Sequence, residues 1–141
     1  MKEMIKKMKE RREGFTMAEL LIVVAIIAVL VAIAIPVFTS QLERAREATD
    51  LANMRVAYAE VMTAALEEDE SPTGTYTITY NEGTYTVKVP ITQGTLGSWE
   101  SANQSATIGN KTASSIITTT GNTVYNMSYN GTTWTIAGDN S

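Results

Sequence analysis

Cysteine and histidine are both missing from the 141 residues. Without thiols there is no disulfide to staple a small domain and no thiolate nucleophile; without imidazole the common acid–base and zinc-ligand sets disappear as well. Carboxylate pairs and Ser/Lys arrangements remain, and none falls into a recognisable catalytic motif. The sequence therefore predicts no enzyme, no cofactor and no metal site. Basic charge is scarce once the first segment is passed. Residues 1–14 hold six Lys or Arg against three Glu, a net of +3, whereas residues 15–141 hold five against twelve, a net of −7. That balance argues against direct nucleic-acid binding, which leans on clustered Lys and Arg.

Polar side chains are absent from Leu20 to Phe38. At about 1.5 Å per residue this run spans roughly 29 Å, the thickness of a bilayer's hydrocarbon core. It follows the cluster Lys2, Lys6, Lys7, Lys9, Arg11, Arg12, while Arg44 and Arg46 beyond it are mixed with Glu43, Glu47 and Asp50. The asymmetry predicts an amino terminus in the cytoplasm and the rest of the chain outside. A secretory signal, with Ala32-Ile33-Ala34 as its small-residue triplet, is the bland alternative; its apolar region should be shorter and free of acids. The run here is preceded by Glu19. A carboxylate in lipid costs on the order of 2.5–3.5 kcal/mol, so it calls for a partner.

Gly14, Phe15, Thr16, two apolar residues, Glu19, then Leu20 to Ile35 and Pro36 resemble the start of type IV prepilins and of the pseudopilins of secretion and competence systems. Met17, Ala18 and Ala28 stand where leucine, a larger aliphatic and glycine are common in that family. The resemblance covers roughly residues 9–38. It implies cleavage by a prepilin peptidase between Gly14 and Phe15 and N-methylation of Phe15. It also implies a homo-oligomeric helical filament as the assembled state, with a membrane platform protein and an assembly ATPase as further partners. Elementary electrostatics agrees. Cleavage leaves a cationic amine at Phe15, and an acid four residues on can meet its own amine or one on a neighbouring helix, offsetting the burial of Glu19 and setting subunit register. A simple dipole effect of Glu19 on the helix terminus, about 0.3–1 kcal/mol, is the competing reading.

Thr39 to Glu67 lacks Gly and Pro and is rich in helix formers, so the helix is expected to continue out of the membrane. Pro36 predicts a kink, because it lacks the N–H that would bond the Ala32 carbonyl. Ala25, Ala28 and Ala32 form a small-residue stripe suited to close helix approach. On a helical wheel Phe38, Leu42, Ala45, Ala48, Ala52, Val56, Ala59 and Leu66 share a face expected to be covered, with Glu43, Arg46, Glu47 and Asp50 opposite as a solvated face. Glu67 to Glu70 and Pro72 should end the helix.

Residues 71–141 contain seventeen Thr and short β-prone runs between Gly and Asn turns. A hairpin is predicted around Asn81-Glu82-Gly83, and three strands around Gly121-Asn122 and Asn130-Gly131. Ile78, Val87, Val89, Ile91, Ile116, Ile117, Val124, Trp134 and Ile136 are the candidate inner face of a four- or five-stranded antiparallel sheet. Gln93 to Lys111 reads as an exposed loop with Trp99 pinning it. The predicted fold class is α+β: a long N-terminal helix packed on a small antiparallel sheet, pilin-like. Its parts are a cleaved leader (1–14), a transmembrane and filament-core helix (15–38), an amphipathic extension (39–70) and a head (71–141).

The function expected is that of a structural subunit of a type IV pilus or related filament, held first as a membrane precursor and then at the cell surface. The alternatives are a minor pilin or pseudopilin of a type II secretion or DNA-uptake system, and a monomeric single-pass anchored binding domain. Replacing Glu19 with leucine should leave the chain in the membrane but abolish its incorporation into filaments, measured by sheared-filament yield from the native host; unchanged incorporation would remove the proposed pairing role.

Overall fold

The computed structural model describes the chain except for Ser101, Ile117, Thr120 and Ser141, and describes residues 11–15 as helical backbone without their side chains. The expected α+β layout is found: one long helix, α1 (Lys2–Leu66), and a small antiparallel sheet. Two compact units are distinguished, residues 1–40 and residues 41–141, and α1 contributes to both.

In the second unit the main sheet is formed by β1 (Ile78–Asn81), β2 (Thr84–Pro90), β5 (Val124–Tyr129) and β6 (Trp134–Asp139), in the order β1-β2-β5-β6 with every pairing antiparallel. The β1–β2 turn is the two residues Glu82 and Gly83, both left-handed at φ 46° and 84°, as the twist of a tight hairpin demands. At the β5–β6 turn the Asn130 side-chain oxygen accepts hydrogen bonds from the N–H groups of Thr132 and Thr133. The long β2–β5 connection holds a second, two-stranded ladder, β3 (Thr107–Ile108) with β4 (Lys111–Thr112), and a 3-10 turn at Ala113–Ser115. Of the three strands expected around Gly121 and Asn130, the first is not one: the described residues before Gly121 form that turn and irregular chain, and Ile117 lies outside the described residues.

Strand alternation sends Tyr85, Val87 and Val89 of β2, with Tyr125 and Met127 of β5, into one core with Leu51, Met54, Ala57, Val61 and Ala64 of α1. Of the remaining candidates for the inner face, Ile78, Ile116, Val124 and Trp134 are buried, while Ile91 and Ile136 are half-buried. The segment expected to be an exposed loop is partly internal, since Gln93, Trp99 and Ile108 are buried. Trp99 does pin it: its indole N–H donates to the Ile116 carbonyl and its ring stacks on Tyr125 with centroids 6.2 Å apart.

The face of α1 turned to this core is not the one the hydropathy wheel predicted. Glu43, Glu47 and Asp50, spaced to share a helix face, are 9 %, 1 % and 0 % exposed, whereas Leu42 and Val56 are 39 % and 43 % exposed and Leu66 is 81 % exposed. The reason is the irregular connection, whose backbone N–H groups have no ladder to bond into. Glu43 accepts from the amides of Gly94 (2.9 Å) and Thr95 (2.7 Å). Both carboxylate oxygens of Glu47 accept from the Glu100 amide at 2.9 Å, and one also accepts from the Asn103 side chain at 2.8 Å. Asp50 accepts from the amides of Thr92 and Gln93, from the Thr92 hydroxyl, and from the buried Tyr125 hydroxyl at 3.0 Å. Arg46 approaches Glu43 at 3.7 Å; Glu47 and Asp50 have no ion pair among the described residues. These carboxylates are stabilised by converging N–H and O–H dipoles, the charge-assisted kind of hydrogen bond that is worth most when water is excluded. Glu60 repeats the device further along, accepting from the Thr75 amide at 2.7 Å. Burial works against its charged form, and the hydrogen bonds from Thr75 and Tyr76 outweigh it, holding the Glu60 carboxyl below its ordinary range.

The helix stops in a Schellman turn. The Asp69 amide reaches back to the Ala64 carbonyl at 3.0 Å, and Glu68 takes the left-handed position (φ 53°) that glycine usually fills.

Asp50→Ala strands several buried neutral donors at once, at about 1–3 kcal/mol for each left unsatisfied, a large part of a small domain's stability; it should appear as a fall in the thermal midpoint of the detergent-solubilised chain followed by near-ultraviolet circular dichroism. Burial and the neighbouring Asp50 carboxylate raise the Tyr125 phenol far above its ordinary value, and burial raises Tyr85 as well. In the unfolded chain both would ionise near pH 10, so the folded state holds extra protons above that pH and loses stability as pH rises. An alkaline titration should show unfolding and the last tyrosinate absorbance arriving together, above about pH 10, with Tyr125→Phe making the loss of stability with rising pH shallower.

Candidate functional site

The first unit, residues 1–40, is helical from Lys2, and the backbone of Gly14 and Phe15 is part of that helix. The Phe15 side chain, at the expected Gly14–Phe15 cleavage and methylation position, lies outside the described residues. From Thr16 to Ser40 every side chain is exposed, among them Leu20 (65 %), Leu21 (68 %), Ile33 (63 %) and Phe38 (68 %). The most apolar window of the helix has a mean hydropathy of 3.4 and none of it is buried. A helix apolar on all sides meets hydrocarbon or other apolar helices, not water.

Glu19 is exposed on this helix, and no cation pairs with it among the described residues. It sits one turn beyond Phe15, whose nitrogen in this intact chain is a peptide nitrogen and carries no charge. Ala25, Ala28 and Ala32 are likewise exposed and unpacked within the single chain. The helix continues through Pro36, and the Thr39 hydroxyl donates to the Pro36 carbonyl at 3.0 Å.

In the second unit the helix presents to solvent the face that the carboxylates do not use. Leu42, Ala45, Ala52, Val56 and Ala59 lie there, with the exposed Arg44, Arg46 and Arg55 on the helix surface as well. Arg55 donates to the Thr107 carbonyl at 3.0 Å. The residues that sequence reasoning missed are therefore the buried acids. Their signal was present as the spacing Glu43, Glu47, Asp50, but that pattern equally describes a solvated stripe unless the donors across from it are known. The acidic run Glu67 to Glu70 gathers no metal-binding cluster among the described residues.

Residues 10–35 match the family model described as the prokaryotic N-terminal methylation motif, which marks pilin-like structural proteins. Comparison with curated proteins and with solved structures returns no match. The motif together with the exposed apolar helix fits a membrane-anchored precursor and, in general terms, the machinery of pilus assembly. At residues 10–35 this chain carries the prepilin-type cleavage and methylation segment, the mark of type IV pilin-like and pseudopilin proteins.

Proposed function

We propose that the chain is a structural subunit of a type IV pilus or pilus-like filament. It enters the cytoplasmic membrane as a single-pass precursor with residues 1–14 in the cytoplasm, is cut between Gly14 and Phe15 by a prepilin peptidase, and is N-methylated at Phe15. A platform protein and an assembly ATPase then move it out of the bilayer, and residues 15–38 become filament core while residues 71–141 form the outward head.

The observation that carries this reading is the exposed stretch of residues 16–40, apolar on all sides from Leu20 to Phe38 with Glu19 as its single carboxylate, which the motif matched over residues 10–35 overlaps. In the precursor Glu19 lies near the cytoplasmic end of the apolar run, where water still reaches it. Inside a bundle of such helices it is desolvated, and the amine released at Phe15 of an adjacent subunit compensates that charge. Subunits displaced along the bundle from this register leave both charges buried and unpaired, so the pair selects one axial spacing. Pro36, lacking its N–H, leaves a turn that stretches at small cost, a place for the core helix to give under load.

Pseudopilins share the segment, and stoichiometry separates the two uses: a major pilin forms the bulk of a sheared fibre, a pseudopilin only a trace of it. Mass spectrometry of the chain recovered from the native host's envelope is the direct test. The expected mature species begins at N-methylated Phe15; a chain that retains residues 1–14, or one cut after Ala34 as a secretory signal would be, overturns the proposal.

A further inference from the structure

At the far end of α1 an open cleft of about 370 Å³ lies between the helix terminus and the two hairpin turns. Its walls are Met62 and Leu66 of the helix and Tyr80 and Tyr129 of the sheet, with Glu68 and Glu70 at its rim. No Lys or Arg lines it, and neither glutamate has an ion pair among the described residues. The Tyr80 ring lies 4.9 Å from that of Tyr85, whose phenol is raised above its ordinary value first by burial and then by the neighbouring Tyr80, Asp69, Glu68 and Glu70. Phenol rings and carboxylates around an apolar floor suit a planar organic cation, which stacks on the ring faces and pairs with the acids.

The same chain supplies such a cation. Five basic residues follow Gly14. Arg46 is beside Glu43, Arg55 donates to Thr107, Lys88 is 4.0 Å from Asp139 and Lys111 is half-buried. Arg44 is exposed and its guanidinium has no partner among the described residues, because the acids of its stretch are turned inward onto loop amides. Arg44 and Leu66 are about 33 Å apart along the helix, too far for one chain to close the contact on itself. A contact between two different patches on identical subunits is heterologous, and such contacts propagate.

We propose that the cleft formed by Met62, Leu66, Tyr80, Tyr129, Glu68 and Glu70 receives the Arg44 guanidinium of a second copy of this chain, staggered along a parallel helix. This rests on the filament reading above, which sets neighbouring helices parallel, and it adds a contact outside the apolar core. It makes the head-level interface sensitive to salt, whereas apolar core packing strengthens or holds as ionic strength rises.

The absence of cysteine makes the test clean. Full-length chain carrying both Arg44→Cys and Glu70→Cys is expressed in the native host, and assembled material is treated with a short bismaleimide, since the ends of an Arg–Glu pair lie too far apart at the backbone for a direct disulfide. The expected result is a ladder of covalent dimers, trimers and higher multiples, absent from Glu70→Cys alone and from Lys88→Cys with Glu70→Cys. Filaments of normal, methylated chain that give no ladder overturn this contact and leave the filament reading standing; a chain that is neither cleaved nor assembled overturns both. As a second measurement, Arg44→Glu should lower filament yield and the added pair Glu68→Arg with Glu70→Arg should restore it. Failure of the swap to restore yield, with each variant folded by circular dichroism, also counts against the contact.

Discussion

Backbone amides without a ladder must find acceptors, and in this head the acceptors are carboxylates on a helix. The β2–β5 connection is long, polar and mostly irregular, yet several of its amides are anchored to Glu43, Glu47 and Asp50 at 2.7–3.1 Å. A charge removed from water is costly unless every lone pair is used, and here two or more donors converge on each group. The requirement runs both ways: the loop is ordered because the acids are there, and the acids are tolerated inside because the loop supplies their donors. Tyr125, reaching Asp50 from the sheet, ties this polar system to the apolar core.

That arrangement decides what the helix offers to its surroundings in residues 41–66. With the acids facing inward, arginines and small apolar side chains remain outside. Residues 16–40 of the first unit pose the opposite problem, an apolar surface with the single acid Glu19 and nothing among the described residues to cover it. One helix thus contains two ways of accommodating carboxylates, satisfied internally by amides at Glu43, Glu47 and Asp50, and left open at Glu19.

Much of this was legible in the sequence wherever the signal is local. The methylation motif at residues 10–35, the apolar run, the Glu82-Gly83 and Asn130-Gly131 turns and the α+β layout all depend on residues within a few positions of one another. What escaped is non-local. The face of α1 that packs on the sheet was misread because hydropathy counts Glu47 and Asp50 as solvent-seeking, and nothing near them in sequence announces donors 42 to 75 residues away. Tyr125 was not among the inner-face candidates, and strict alternation from Val124 points it outward; in the structure Val124 and Tyr125 are both buried, which breaks alternation at the start of β5. The buried part of Gln93 to Lys111 was hidden by its polar composition, since its order comes from the helix opposite and not from any propensity of its own.

The chain has no cysteine, and its head is fastened by carboxylates gripping main-chain nitrogens. Such a fastening needs no oxidant, no isomerase and no particular compartment to form. It contains no bond that a reductant could open, so the redox state of the medium has no hold on it.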